Sequence, residues 1–208
     1  MRLGVFGGSF DPPHLGHLSV AEQAREALEL DLVLFVPAPR PPHKPDARLS
    51  AVQDRLEMVR AAVAGNPAFA ASDAEAGRPG PSFTADTLAA VGRAHPGAEL
   101  FCLVGSDTAV ELHTWHDRRR LFAAATFGVL LRPGWPEERL AAWLEAQPAD
   151  LRPRFSVVRV PGLDISATAV RGRVAAGRTI RYLVPEPVRA LIAARGLYRE
   201  GAVPRDGR

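Results

Sequence analysis

The chain has 208 residues, enough for one large α/β domain, and its 47% hydrophobic and 24% charged content is that of an ordinary globular protein. A formal charge of +3, from 26 basic and 23 acidic residues, suits an anionic small substrate as well as it suits nucleic acid, but the lack of a long Lys/Arg block interleaved with aromatics disfavours nucleic acid as the partner. The single cysteine, Cys102, rules out a disulfide within the chain and a cysteine-built zinc site. No signal-peptide pattern or apolar run of membrane-spanning length stands out, so a cytoplasmic protein without a membrane partner is expected.

Taken in order, Arg2 to Phe6 reads as a first strand that breaks at Gly7-Gly8 and crosses Asp11-Pro12-Pro13. A helix follows from Leu15 to Leu28, with Leu18, Ala21, Ala24, Ala27 and Leu28 on its buried face. The apolar run Leu32 to Val36 predicts a parallel strand covered on both sides, which closes a βαβ unit. The prolines of Pro37 to Pro45 predict a stiff loop, readable as a solvated linker or, from the placement of Arg40, His43 and Lys44 at the strand's carboxyl end, as a loop facing phosphate. A second helix is expected from Ser50, as N-cap, to Ala64. A weak strand at Phe69 to Ser72 precedes a third helix opened by Ser82 to Leu88, with Thr84 as N-cap.

Glu99 to Val104, with Cys102 as buried filler, predicts the best interior strand and ends in Gly105-Ser106-Asp107. A fourth helix is expected over Thr108 to Leu112, then His113-Thr114-Trp115-His116-Asp117, whose Trp is able to stack on an aromatic ring. Arg118 starts another helix, Thr126 to Leu131 is the fifth strand, and Pro136 to Ala146 is a helix with Leu140, Trp143 and Leu144 inward. Phe155 to Val160 forms the last strand, and Pro185 to Leu197 the closing helix. Residues from about Glu200 read as a frayed tail. Strands alternating with helices throughout imply a doubly wound, mostly parallel α/β sheet. The domain spans 1–198, its C-terminal helical part covers about 164–198, and 199–208 are expected to be disordered.

Chemistry concentrates at helix starts. His14 and His17 lie three apart, hence on one helical face, just after a glycine turn, where the helix dipole and unpaired N–H groups favour an anion such as phosphate. Gly16 between them costs about 1 kcal/mol in a helix, which a ligand passing close to the backbone would explain. Asp164-Ile165-Ser166-Ala167-Thr168-Ala169-Val170-Arg171 offers a second such place: hydroxyls at a helix start with an arginine behind them, readable either as an anion site or as a Ser N-cap with a surface arginine.

The stretch Gly7 to His17 resembles the nucleotidyltransferase superfamily, marked by His-x-Gly-His after the first strand. The resemblance narrows to the nicotinate-nucleotide adenylyltransferases over nearly the whole chain. It is carried by Pro-Pro-His-Lys at 41 to 44, Ser82 to Leu88, Gly105-Ser106-Asp107, Trp115, Val129 to Gly134, Ile165 to Arg171 and Tyr182 to Pro185. It implies a Rossmann-like nucleotidyltransferase fold and the joining of ATP to nicotinate mononucleotide, giving nicotinate adenine dinucleotide and pyrophosphate in NAD synthesis.

Carried onto this chain, the resemblance makes His14 and His17 the catalytic pair on the ATP phosphates. Gly8, Ser9 and Phe10 would give backbone contacts, Ser166 and Arg171 would hold the β- and γ-phosphates with Ile165 beside them in the ATP site, and Gly105 and Asp107 would contact sugars. Arg132 would lie near adenosine, and Lys44, Thr84 and Trp115 would receive the mononucleotide. Mg²⁺ would come with ATP, no protein metal ligand is assigned, and a homo-oligomer is allowed.

Three departures stand out: Ile-Ser-Ala-Thr for the usual Ile-Ser-Ser-Thr, Gly-Ser-Asp for Gly-Ala-Asp, and Ser-Phe-Thr for Ser-Tyr-Thr. Ala167 thereby removes one hydroxyl, but no charge that the reaction needs is lost. The competing readings are adenylyl transfer to nicotinamide mononucleotide or phosphopantetheine, and a nucleotide-binding regulator without turnover.

Overall fold

The computed structural model of the chain describes residues 1–39, 49–78 and 83–199. Six strands alternate with helices: β1 (Arg2–Gly8), α1 (Leu15–Ala27), β2 (Leu32–Pro37), α2 (Val52–Val63), β3 (Phe69–Ala71) and α3 (Thr84–Ala94). There follow β4 (Glu99–Gly105), α4 (Ser106–Ala109), α5 (Arg118–Ala124), β5 (Thr126–Leu131), α6 (Glu137–Glu145), β6 (Phe155–Arg159), α7 (Ala167–Ala175) and α8 (Glu186–Arg195). The sheet order is β3-β2-β1-β4-β5-β6, reversing direction of travel between β1 and β4 as a doubly wound sheet does. β1 pairs with β4, β4 with β5 and β5 with β6, all in parallel, with Leu3 opposite Leu100, Leu103 opposite Gly128 and Phe127 opposite Phe155.

The chain divides into two compact units. The first comprises Met1–Gly7, Val20–Leu34 and Phe83–Gly162. Its middle strands are apolar on both faces, as their sequences require: Leu100 to Val104, Cys102 included, are all buried. Gly128 is small for a reason, since a Cβ there would lie 2.8 Å from both Leu103 Cδ2 and Leu28 Cδ1. A ring cluster closes one side, with Phe122 edge-on to Phe127 at 5.3 Å and Trp143 edge-on to Phe155 at 5.1 Å. On α1, Ala21 and Ala24 are buried as expected, but Ala27 is exposed because it lies at the edge of the stripe in the helix's last turn.

The second unit comprises Gly8–Ser19, Phe35–Ser82 and Leu163–Arg208. Its core gathers Met58 from α2, Val170 from α7, Val188 and Ile192 from α8, and Ile180 and Val184 from the connection between those last two helices. Arg195 bridges Asp54 and Glu57, tying α8 to α2.

Three helix starts differ from expectation. Ser50 does not cap α2, which begins at Val52 behind Ala51 with no side-chain cap. Instead the Ser50 N–H donates to Asp11 Oδ2 at 3.1 Å and its carbonyl accepts from Arg55 Nε at 2.9 Å, which holds the residue in the preceding loop. Thr84 is the first residue of α3 rather than its cap, and Phe83 takes the cap position. The fourth helix starts at Ser106, directly after β4, and stops at Ala109; a short 3₁₀ turn over Leu112–Thr114 replaces its second half.

Candidate active site

In the second unit the site is built on the turn from Gly8 into α1. Backbone and ring chemistry fix the two histidines together. The His14 N–H, at the residue just before the helix, donates to His17 Nδ1 at 3.2 Å. This is the reciprocal half of a capping box, with imidazole in place of the usual carboxylate or amide. Because Nδ1 accepts, the ring proton of neutral His17 belongs on Nε2, which makes Nε2–H a donor. The two rings stack with centroids 3.6 Å apart and planes 25° apart. His14 is buried and His17 half-buried, and Phe10 meets His17 edge-on at 5.0 Å.

Gly16 is explained from inside the chain. A Cβ there would lie 3.0 Å from His14 Nδ1 and 3.2 Å from its Cε1, so the missing side chain makes room for the His14 ring. Gly8 has the matching role beside Phe10, whose ring atoms would lie 3.0 to 3.2 Å from an added Cβ. Phe10 itself is left-handed at φ 46°, a conformation costing a non-glycine residue about 1–2 kcal/mol. Its buried ring, packed against Phe35 at 5.6 Å, holds it there.

The Ser166 to Arg171 stretch joins this turn. Ser166 caps α7, its Oγ accepting from Ala169 N at 3.1 Å. Arg171 Nη1 donates to the Asp11 carbonyl at 2.7 Å and Nη2 to Thr168 Oγ1 at 3.2 Å, so the expected anion arginine is anchored to the loop before α1. Ile165 packs on the unit's apolar core. Leu15 N–H donates to Leu183 O at 3.0 Å, bringing the Tyr182-Leu183 turn onto the start of α1.

Sequence reasoning missed the buried polar support of this turn. Asp11 is wholly buried, and its Oδ1 accepts from the Tyr198 hydroxyl at 2.5 Å. Burial, with Asp11 adding to it, pushes the Tyr198 phenol well above its ordinary range. Arg55 is 1% exposed, and burial lowers its pKa against the opposing pull of Asp11, Tyr198 and Glu75. The available signal was an arginine on the apolar stripe of α2, beside Leu56 and Val59.

In the first unit, Gly105 and Arg132 stand at the carboxyl ends of the paired strands β4 and β5, and Arg132 Nη2 donates to Asp107 Oδ1 at 3.3 Å. Both side chains of this pair are more than half exposed, so the contact adds little stability. A Cβ at Gly105 would lie 2.4 Å from Asp107 Oδ1, so a side chain there would turn the exposed Asp107 carboxylate out of its place beside Arg132. The start of α3 and the segment holding Trp115 are joined by two contacts. Phe83 packs on His116 with ring centroids 4.4 Å apart, and Asp86 accepts from Arg120 Nη1 at 3.1 Å. These bring Thr84 and the half-buried Trp115 into one neighbourhood. Arg40, His43 and Lys44, and Ser82 of the α3 motif, lie outside the described residues.

Residues 5–173 match the cytidylyltransferase-like family. The chain is 46% identical over 198 residues to a probable nicotinate-nucleotide adenylyltransferase of Exiguobacterium sibiricum, covering 95% of this chain and 99% of the relative. The chain belongs to the nicotinate-nucleotide adenylyltransferases. A probable member of Thermus thermophilus is 46% identical over 199 residues, covering 96% of this chain and all of that one. The structure of Plasmodium falciparum nicotinic acid mononucleotide adenylyltransferase complexed with NaAD has the same fold, with a TM-score of 0.75 at 18% identity over 95% of this chain and 97% of that one. The adenylyltransferase family thus spans both units and every described motif singled out in the sequence. No helix among the described residues is long and apolar enough to cross a membrane.

Proposed function

We propose that the protein joins ATP and nicotinate mononucleotide into nicotinate adenine dinucleotide, releasing pyrophosphate in NAD synthesis. A phosphate oxygen of the mononucleotide attacks the α-phosphorus in line. The bond to the α,β-bridging oxygen breaks, and that oxygen leaves with the electron pair as part of pyrophosphate. An ionised phosphate nucleophile has no proton to lose, so the protein's task is positioning and charge stabilisation. The observation that carries the reading is the stacked His14–His17 pair at the start of α1, with the His17 proton directed to Nε2 by the His14 N–H.

In this reading His14 and His17 hold the reacting phosphates, and the backbone of Gly8, Ser9 and Phe10 contacts the nucleotide. Ser166 and Arg171 take the outer phosphates, and Ile165 lines the ATP site beside them. Gly105, Asp107 and Arg132 serve the adenosine and sugar side, and Thr84, Trp115 and Lys44 the mononucleotide. The protein donors to phosphate are imidazole, guanidinium and ammonium nitrogens and a hydroxyl, and among the described residues no three His, Cys, Asp or Glu form a metal cage. That set fits Mg²⁺ carried by triphosphate oxygens and water, where the ion supplies charge neutralisation.

The test is mass-spectrometric detection of the dinucleotide from ATP, Mg²⁺ and nicotinate mononucleotide. His17→Ala should lower kcat about a hundredfold or more, as loss of a transition-state donor does. Product formation at the wild-type rate would remove His17 from the mechanism.

A further inference from the structure

We infer that Arg55 is the positioning residue that sets the conformation of the Ser9–Phe10 peptide for nucleotide phosphate, an inference that rests on the adenylyl-transfer reading. The guanidinium is buried and donates to four main-chain carbonyls. Nη1 reaches Ser9 O at 2.7 Å and Ala38 O at 2.8 Å, Nη2 reaches Pro39 O at 3.4 Å, and Nε reaches Ser50 O at 2.9 Å. One side chain on α2 thus gathers the loop after β1, the loop after β2 and the approach to its own helix.

The consequence follows from peptide geometry. The Ser9–Phe10 bond is trans and planar, so the Ser9 C=O and the Phe10 N–H point in opposite directions. Drawing the carbonyl inward onto Arg55 turns the Phe10 N–H the other way. That N–H is one of the backbone donors the phosphate reading requires. The left-handed Phe10, at φ 46°, completes the turn immediately afterwards.

Only a planar fork of N–H donors can satisfy carbonyls from three segments at once; an ammonium is a point charge and a carboxamide has two donors. The buried charge has its counterweight nearby. Asp11 and Glu75 are buried carboxylates, and Asp11 is in turn fixed by Tyr198 Oη at 2.5 Å and Ser50 N at 3.1 Å. Removing the fork leaves the Ser9 carbonyl without this donor and lets the peptide rotate. A misplacement of about 1 Å near a reacting centre costs on the order of a hundredfold in rate.

The experiment uses Arg55→Lys and Arg55→Gln in the full chain, assayed well below each variant's melting midpoint. The expected order of kcat/KM for ATP is Arg, then Lys about tenfold lower, then Gln about a hundredfold lower, with binding of a non-hydrolysable ATP analogue weakened in the same order. Variants that melt earlier yet keep wild-type kcat/KM and analogue affinity per folded molecule would overturn the inference, since that is the signature of a structural role alone.

If neither variant folds, the wild-type protein decides. In an ¹⁵N-labelled sample the Phe10 amide should be among the resonances most shifted by the ATP analogue with Mg²⁺, and a Phe10 amide unmoved at saturation would overturn the inference. A wild-type protein that shifts Phe10 but makes no dinucleotide would refute the reaction and leave standing the contact between the Phe10 amide and nucleotide phosphate. An active wild type with indifferent Arg55 variants would refute the positioning role only.

Discussion

Gly16→Ala separates stability from chemistry. On helix propensity alone, alanine in place of glycine gains up to about 1 kcal/mol. Against that gain, the new Cβ would meet His14 Nδ1 at 3.0 Å and Cε1 at 3.2 Å, so the ring must retreat by a few tenths of an ångström. The ring is 6% exposed and stacked on His17 at 3.6 Å, so the retreat disturbs the pair rather than moving into solvent. The cost of a slightly displaced ring, about 1 kcal/mol at the low end for overpacking, offsets the propensity gain, which puts the net stability change within about 1 kcal/mol of zero. The rate has no such compensation: displaced donors at a reacting centre should lower kcat by about tenfold to a hundredfold. Urea denaturation and pyrophosphate release on the same preparation measure both quantities. A variant with unchanged stability and kcat within twofold of wild type would refute the claim that ring placement at position 14 matters to the reaction.

Ser166 separates the cap from the phosphate contact. Ser166→Ala should lose about 1 kcal/mol of stability with the cap, whereas Ser166→Asp should retain the cap but repel the triphosphate, raising KM for ATP; unchanged KM in the Asp variant would remove Ser166 from phosphate binding. Tyr198→Phe should destabilise the fold by about 1–3 kcal/mol, because a buried Asp11 oxygen loses its donor at 2.5 Å. The folded phenol titrates above its unfolded value of about 10, so this stabilisation is complete below pH 10 and is lost as pH rises from there toward the folded value. Melting curves from pH 7 to 11 should therefore show wild type and Tyr198→Phe converging at the alkaline end, and a constant gap would contradict the assignment.

The parts of the fold that were legible are those whose cause is local. Leu32 to Val36 and Leu100 to Val104 are apolar without alternation because the strands are covered on both faces, and they stand where expected. Cys102 is the buried strand residue it was read to be. The His14–His17 pairing was visible from spacing, and the structure joins the two rings. What was not legible depends on partners distant in the chain. Arg55 is tolerable on an apolar stripe only because carbonyls from positions 9, 38, 39 and 50 converge on it. Ser50 looked like a helix cap, but its N–H is held by Asp11, thirty-nine residues earlier. Tyr198 lies 187 residues from the carboxylate it serves. The absence of a side chain at Gly16 also has a cause that spacing did not show, the neighbouring His14 imidazole, which an added Cβ would meet at 3.0 Å.

The most direct test of the account is pyrophosphate release from ATP and Mg²⁺ with nicotinate mononucleotide, nicotinamide mononucleotide and phosphopantetheine compared side by side. The account predicts that kcat/KM is highest by a wide margin for the nicotinate form. A preference for either of the others would contradict the assignment of Thr84 and Trp115 to the nicotinate ring, and silence with all three from a protein that still binds ATP would contradict catalysis itself.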